Sequence, residues 1–303
     1  MSFTALIQCC TINLCVLSGT AFAADPVGTL HQVEFNAKAF AKDNLMAWCI
    51  VPFDAAKRTP EQRASMLRDL GIKRFAYDYR AEHIPSFERE IAALKENGIE
   101  LSAWWFPTVL NDEAKMILSL FEKHGLHPQL WVMGSGNENM STSDADAFAA
   151  KEAERIRTIA VEAQRIGCKV GLYNHGGWFG KPENQLELIR KVNMPNVGIV
   201  FNLHHAHDQL DRLPAVLAML KPHLMVVNIN GMQTDGERLG KKILPIGMGD
   251  RDLEVLSAIS QSGYEGPIGI LNHTDEDARV RLEQNLSGLE SLVSKLSARK
   301  TNN

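Results

Sequence analysis

Histidine and asparagine side chains are concentrated at a few points in the second half of the sequence. Three imidazoles fall close together at His204, His205 and His207, while His175 and His273 each follow an asparagine. Imidazole titrates near neutral pH, so it can accept or donate a proton under physiological conditions. Amide groups offer both donors and acceptors to hydroxyls. The combination predicts either proton transfer on a sugar or polyol, or its recognition.

Each of these residues follows a short apolar run, and the apolar runs alternate with amphipathic segments in eight pairs. The first helix shows how its ends are encoded: Thr59, Pro60 and Gln62 form an N-cap, a proline at the first helical position and a capping-box partner, and Gly71 ends the helix. Apolar strands alternating with helices form a parallel sheet covered by helices, and eight strands close a barrel. The sequence therefore predicts an α/β fold, a single-domain (β/α)8 TIM barrel over residues 45–296.

An open, doubly wound sheet is the alternative architecture. Such a sheet would be expected to carry a glycine-rich phosphate-binding turn after an early strand. Neither a GxGxxG nor a GxxxxGK[ST] pattern occurs in the sequence, which favours the barrel.

In a TIM barrel the reacting groups lie at the carboxyl ends of the strands. At such positions we predict His205 and His175 as proton-transfer residues, with Glu138 orienting one of them or acting as a second base. Aromatic faces and polar amides together match the C–H faces and hydroxyls of a sugar. The predicted substrate-binding residues are Trp104, Tyr173, Asn174, Asn202, His207, Asn228, Asn230, Asn272, His273 and Asp78.

The N-terminal residues have the pattern of a secretory signal peptide. The apolar run 5–19 precedes Ala21-Phe22-Ala23, which has the small-x-small form of a cleavage site, although no Lys or Arg precedes the run. We expect residues 1–23 to be a signal peptide, 24–44 an N-terminal extension and 297–303 a flexible tail. The mature chain is then expected to be exported, to the periplasm or the extracellular space.

The composition is that of an ordinary globular protein. The 303 residues include 32 Lys or Arg and 36 Asp or Glu, giving a net charge of -4, so the broad positive field that nucleic acid or an anionic membrane requires is missing. Beyond residue 23 only Cys49 and Cys168 remain, too few for a disulfide framework, and each is predicted to be a buried thiol. We expect a small-molecule partner and no nucleic-acid or membrane partner, and leave a homo-oligomer open.

Five segments resemble the xylose isomerase-like TIM-barrel superfamily of sugar isomerases and epimerases. They are residues 172–177, 197–205, 224–231, 246–250 and 262–267. The most specific is a Gly-x-Gly-Asp sequence in the fourth segment, followed at the right distance by Gly-Tyr-x-Gly-Pro in the fifth. The resemblance implies a barrel whose mouth binds a sugar, usually with a divalent metal held by Glu, Asp, His and Glu from strands five to eight.

Carried over residue by residue, that metal set is not present. Tyr173 stands at the position of the first Glu, and Asn202 at that of the Asp. Asn228 replaces the His and Leu271 the last Glu, while His205 matches the family's pocket histidine. Carboxylates compensate the desolvation of a hard cation, which an amide dipole does not. We therefore predict no cofactor and no metal, and the two glutamates that exchange the proton in the epimerases are also missing.

Two other interpretations stay open. The barrel could bind carbohydrate without catalysis, or it could be a Zn, Mn or Mg enzyme with relocated ligands, drawn from Glu138, His175, His204, His205, His207, Asp208 and His273. Strand alternation predicts that His204 and His205 point to opposite faces, which counts against the relocated site. The reaction also stays open between isomerisation, epimerisation, and lyase or hydrolytic chemistry on an oxidised sugar. The missing carboxylates and acidic net charge disfavour the related nucleases.

Overall fold

The computed structural model describes residues 35–298. The predicted signal peptide lies outside the described residues, as do most of the predicted extension and the last residues of the predicted tail. The first strand begins at Leu45, and the last helix continues to Ala298.

Eight parallel strands form a closed barrel in chain order, as the sequence predicts. Pairing of β1 with β8, from Leu45 opposite Ile268 to Trp48 opposite Leu271, closes the cylinder. All carboxyl ends therefore open at one mouth. The strands are β1 (Leu45–Trp48), β2 (Arg74–Tyr77), β3 (Glu100–Trp105), β4 (Gln129–Met133), β5 (Lys169–Tyr173), β6 (Val197–Asn202), β7 (Leu224–Ile229) and β8 (Ile268–Leu271).

Helices surround the barrel, and within residues 35–298 none of them is both long and apolar enough to cross a membrane. Two of them directly follow 3-10 segments, at Ala81–Ser86 and His207–Arg212. The helices are α1 (Pro60–Leu70), α2 (Phe87–Glu96), α3 (Asp112–His124), α4 (Thr142–Arg165), α5 (Gly177–Gly180), α6 (Pro182–Val192), α7 (Leu213–Leu220), α8 (Asp252–Gln261) and α9 (Ala278–Ala298).

The predicted capping of α1 is confirmed. The Gln62 backbone N–H donates to Thr59 Oγ1, and the Thr59 N–H donates to Gln62 Oε1 at 3.0 Å. Gly71 ends the helix at φ 71°, in the left-handed region that glycine adopts without steric cost.

Side chains of alternate strand positions fill the inside of the barrel. Three aromatic residues dominate this interior: Trp48 lies with its ring centroid 4.6 Å from that of Trp131, and both contact the ring of Tyr173. We call Trp48, Trp131 and Tyr173 the aromatic plug. Gly171 makes room beside it, since a Cβ there would lie 2.6 Å from Val200 Cγ2. The aromatic plug lies beneath the side chains of the mouth.

The opposite strand faces pack against the helices and form the larger part of the core. One ion pair is buried in this outer layer: Arg63 of α1 contacts Glu90 of α2 through two nitrogens, at 3.0 and 2.9 Å. The side chains are only 3% and 0% exposed. A buried charge pair of this kind ties α1 to α2 and depends on both partners being present.

Candidate functional site

Four imidazoles meet at the barrel mouth. The ring centroids of His175 and His205 lie 4.5 Å apart, those of His204 and His205 4.3 Å apart, and those of His204 and His273 5.4 Å apart. These residues follow β5, β6 and β8. The structure thus brings together the two histidines predicted for proton transfer, with His273 nearby.

The strand-alternation argument that separated His204 from His205 is wrong. Strand β6 ends at Asn202, and Leu203–His205 continues as a short 3-10 helix. Successive side chains of a 3-10 helix differ by about 120° around its axis, whereas those of a strand alternate between opposite faces. The turn is held by Asn202, whose Oδ1 accepts the His204 backbone N–H at 3.2 Å. Both imidazoles therefore reach the mouth.

A cavity of about 180 Å³ lies over the imidazoles. Its walls come from the segments that follow β4, β5, β6 and β7. They include three histidines (His204, His205 and His207), two lysines (Lys181 and Lys242) and three carboxylates (Glu138, Asp208 and Glu237). It is smaller than the roughly 300–1,000 Å³ clefts that hold drug-sized ligands. The space therefore suits a compact polar molecule.

The imidazoles of the mouth are neutral at physiological pH. Desolvation lowers the pKa of His175, His204, His205, His207 and His273, although only His204 is buried and His175 keeps an exposed edge. For His205 the pKa falls to about 3, because burial is reinforced by repulsion from the His175 ring and the Lys242 ammonium. For His204 it falls to about 2, again mainly through burial. Each neutral ring offers one N–H donor and one lone pair.

Several buried polar atoms near this mouth are left unpaired. Nδ1 of His204, Nε2 of His207 and both amide atoms of Asn228 and Asn272 have no hydrogen-bond partner among the described residues. Leaving such an atom unpaired costs on the order of 1–3 kcal/mol. Ordered water or a ligand normally satisfies it. Asn228 and Asn272 are 0% exposed and, unlike His207, are not part of the cavity wall, so the substrate contacts of these three residues stay predictions.

Tyr173 and Asn202 were also predicted to bind substrate, but their polar groups bond to each other. The Tyr173 hydroxyl accepts a hydrogen bond from Trp48 Nε1 at 3.1 Å and another from Asn202 Nδ2. Burial raises the pKa of Tyr173 well above its usual range. This neutral pair fixes the position of the aromatic plug under the imidazoles.

Asn174 and Asn230 hold the backbone of the mouth. The Asn174 side chain donates to the Asn202 carbonyl at 3.0 Å and accepts the Asn202 N–H at 2.7 Å. Asn174 is 0% exposed, and the prediction that it contacts substrate is wrong because its amide joins β5 to β6. Asn230 Nδ2 donates to the carbonyls of Gly231 and Lys242, at 2.8 and 3.0 Å. It thereby fixes the loop that follows β7.

The prediction that Trp104 contacts substrate is wrong. Its side chain is 0% exposed and packs outside the barrel wall, with ring centroids 4.4 Å from Tyr77 and 5.1 Å from Phe121. Trp105, the next residue, points inward and lies 5.0 Å from Tyr173. Consecutive strand residues face opposite sides, so only one of the two tryptophans can approach the mouth. The structure assigns that position to Trp105.

Asp78 is a buried carboxyl at the end of β2, apart from the imidazole cavity. Its Oδ1 accepts the Val51 N–H at 3.3 Å, and burial raises its pKa to about 7 despite the nearby Arg80 guanidinium. Cys49 lies beside it with φ 59°, and burial together with the Asp78 charge raises the thiol pKa. Cys49 and Cys168 are buried free thiols, as predicted. The proposed substrate contact of Asp78 stays a prediction.

Glu138 lies at the rim of the cavity, where its side chain is 51% exposed. It pairs with Lys181, whose Nζ is 3.3 Å from Glu138 Oε2 and 3.2 Å from Asp208 Oδ2. Lys181 thus connects the loop after β4 to the segment after β6. Sequence reasoning missed Lys181, because its two partners come from separate loops. The catalytic role of Glu138 stays a prediction.

The positions that the family uses for a metal do not suit a hard divalent cation in this chain. Tyr173 and Leu271 are buried in the barrel interior, and Asn202 and Asn228 offer amides in place of a carboxylate and an imidazole. Within residues 35–298, no group of three or more His, Cys, Asp or Glu side chains is arranged to hold a metal ion. The donor chemistry at the four positions therefore does not match Mg, Mn or Zn.

Comparison with known proteins agrees with the barrel and with the resemblance of its segments. A family model described as xylose isomerase-like TIM barrel matches residues 129–292, more than half of the 303 residues. The chain belongs to this family.

Individual relatives are distant. An uncharacterized protein of Methanocaldococcus jannaschii is 28% identical over 121 residues, which span 38% of this chain and 41% of that protein. The 3-keto-D-glucoside 4-epimerase of E. coli superposes with a TM-score of 0.60 at 16% identity, covering 84% of this chain and 100% of the epimerase chain. A Mycobacterium smegmatis xylose isomerase-like TIM barrel protein in complex with magnesium gives 0.56 at 15%, covering 86% and 98%. These structural likenesses establish the fold.

Proposed function

We propose that the barrel mouth binds a sugar or keto-sugar and transfers a proton next to its carbonyl, as a sugar isomerase or epimerase does. The observation that carries this proposal is the pair of neutral imidazoles, His175 and His205, with ring centroids 4.5 Å apart beside a cavity of about 180 Å³. The sugar epimerase among the proteins that share the fold supports the substrate class. The unpaired amides of Asn228 and Asn272 are the proposed hydroxyl ligands.

The proposed reaction uses the two imidazoles in different roles. His205 takes the proton from the carbon beside the carbonyl, and the electron pair of the broken C–H bond forms an enediolate. His175 donates its N–H to the enediolate oxygen, a role that a neutral imidazole can fill. Return of the proton from His205 to the former carbonyl carbon, with the hydroxyl proton passing to the enediolate oxygen, gives the isomer. Protonation of the original carbon from its other face by solvent water, with His205 giving its proton to the resulting hydroxide, gives the epimer.

Deuterium exchange tests this proposal whether the product is an isomer or an epimer. The full chain is incubated with a panel of keto-sugars in D2O, and NMR follows deuterium entering the carbon next to the carbonyl. We expect exchange with the wild type and its loss in His205→Ala, with the fold of both checked by circular dichroism. His223→Ala is the matched control, since His223 precedes β7 at the opposite end of the barrel. Exchange that persists in His205→Ala would contradict the proposed role of His205.

A carbohydrate-binding barrel without catalysis is the second candidate. It is favoured by Tyr173 and Leu271, which stand where the resemblance places the two glutamates that exchange the proton. Calorimetry of the same sugars distinguishes the candidates. Tight binding with no deuterium incorporation after prolonged incubation would support recognition alone.

We further propose that the chain is exported and cleaved after Ala23. The support is the apolar run 5–19 followed by Ala21-Phe22-Ala23. N-terminal sequencing of the protein recovered from its native cells, with cell fractionation, is the test. A mature chain that still contains residues 1–23 would contradict the proposal.

A further inference from the structure

Lys242 occupies a fixed position in the wall of the imidazole cavity. It lies in the loop after β7, and its carbonyl accepts the Asn230 side chain at 3.0 Å. Two backbone hydrogen bonds between Gly231 and Leu244, at 3.0 and 2.8 Å, close the base of that loop. The sequence pattern around Lys242 is equally compatible with a solvated loop lysine, and only the fold shows that it faces the histidines.

The Lys242 ammonium acts on imidazoles from two segments of the mouth. Its positive charge contributes to the lowered pKa of His175, which follows β5, and of His204, His205 and His207, which follow β6. Like charges repel, so the ammonium disfavours protonation of each ring. Lys242 therefore acts electrostatically on imidazoles from both segments.

The ammonium keeps donor capacity for a ligand. Lys242 pairs with Glu237 Oε1 at 3.0 Å, but the Glu237 side chain is 75% exposed whereas that of Lys242 is 25% exposed. An ammonium has three N–H donors. Lys181, the second lysine of the wall, instead lies between the carboxylates of Glu138 and Asp208. Lys242 is thus better placed than Lys181 to receive an anionic group inside the cavity.

Two further donors or acceptors lie in the same wall. His204 Nδ1 and His207 Nε2 are buried, without a hydrogen-bond partner in the part of the chain that the structure describes. His204 is 8% exposed. Neutral imidazole nitrogens next to an ammonium suit the two oxygens of a carboxylate, because a charge-assisted contact and a neutral N–H donor can act on it together.

We propose that Lys242 binds a carboxylate of the substrate, so that the ligand of this site is a sugar acid rather than a neutral sugar. The inference rests on the proposed function, whose substrate class it narrows. A bound carboxylate would offset the Lys242 charge at His205. The other groups that act on His205 are His175, His204, His207 and His273. The acidic ligand would thereby raise the pKa of His205 and make it a stronger proton acceptor.

Matched sugar pairs test the proposal on the full chain. Calorimetry at low ionic strength compares D-glucuronate with D-glucose and D-galacturonate with D-galactose. We expect each acid to bind at least about tenfold more tightly than its neutral partner, the size of effect of one charge-assisted contact. Lys242→Gln should abolish this preference by weakening the acids alone. Lys241→Gln is the matched control, because Lys241 is the exposed neighbour in the same loop.

NMR titration of the histidine rings supplies a readout that does not depend on turnover. Lys242→Gln should raise the pKa of His205, Lys241→Gln should not, and a saturating sugar acid should raise it in the wild type. Equal binding of acids and neutral sugars, unaffected by Lys242→Gln, would overturn this inference and leave the proposed function standing. Failure of both classes to bind would overturn the proposed function, and this inference with it.

Discussion

The ring centroids of His204 and His205 lie 4.3 Å apart, although the two residues are consecutive and follow the end of strand β6 after Leu203. The arrangement depends on Asn202, which ends β6 and accepts the His204 N–H. As a result, the mouth holds a group of imidazoles, of which His204 is buried and His205 half-buried, where the family resemblance implies carboxylates around a metal.

The buried imidazoles should make folding stability sensitive to acid. Unfolded histidine titrates near pH 6.5, whereas the pKa of folded His205 is lowered to about 3. The unfolded state therefore binds more protons as the pH falls from about 6.5 to about 3, and stability is lost across that window. Between pH 7 and pH 5 we expect the wild type to lose about 1–2 kcal/mol more than His205→Gln.

Urea unfolding of both proteins at the two pH values measures this difference. The comparison removes the contribution of Asp78, whose pKa is raised to about 7 and whose effect on stability runs in the opposite direction with pH. Identical pH dependence in the two proteins would show that His205 is not held neutral by the fold.

The two neighbouring tryptophans of β3 should respond differently to substitution. Trp104→Ala removes a fully buried ring from the outer core and should lower the free energy of unfolding by about 3–5 kcal/mol. Trp105→Ala should cost less stability and weaken sugar binding, since Trp105 lies 6.3 Å from His175. Urea unfolding and calorimetry of both variants separate the effects. The reverse pattern would place Trp104 at the ligand.

Removing either Arg63 or Glu90 alone should destabilise the fold, whereas removing both charges together should cost much less. Arg63→Met leaves a carboxylate buried without its cation and should cost about 3–5 kcal/mol of unfolding free energy. Combining it with Glu90→Leu should recover most of that loss, because both charges are then gone. Chemical denaturation of the two single variants and the double variant measures the coupling. A double variant as unstable as the sum of the single variants would contradict this account.

Chelation should leave ligand binding unchanged. The four positions that carry metal ligands in the family resemblance hold Tyr173, Asn202, Asn228 and Leu271. Elemental mass spectrometry of the purified chain after mild dialysis should find no stoichiometric Zn, Mn or Mg, and sugar affinity should be the same with and without a chelator. About one firmly held metal ion per chain, with affinity lost on chelation, would require ligands that the described fold does not bring together.

The barrel could be predicted from the sequence because its signals are local. Short apolar strand segments alternate with amphipathic helical segments along the chain. The capping box at Thr59 and the glycine at Gly71 fix the ends of α1 through contacts within a few residues. Membership of the family could be predicted from five short segments, two of which contain the whole of β6 and β7. The predicted grouping of His175, His205 and His273 also followed from strand order alone.

The wrong predictions concern residues whose contacts are made with distant parts of the chain, which a local sequence pattern does not determine. The pair Trp104-Trp105 has no sequence signal that says which ring faces inward, because both layers of a barrel wall are apolar. The Asn174 side-chain amide donates to the carbonyl of Asn202 in β6, which is 28 residues further along the chain. Lys242 reaches the histidines only because Asn230 and the Gly231–Leu244 bridge fold its loop back over the mouth.

The aromatic plug also gives the molecule an optical property. Trp48 and Trp131 lie with centroids 4.6 Å apart and planes at 72°, so their electronic transitions should couple. Trp105 lies 5.8 Å from Trp48, on the way to His175. A ligand that displaces Trp105 would change the near-ultraviolet circular dichroism and the fluorescence of this group. Such a change would report occupancy of the mouth without an added label.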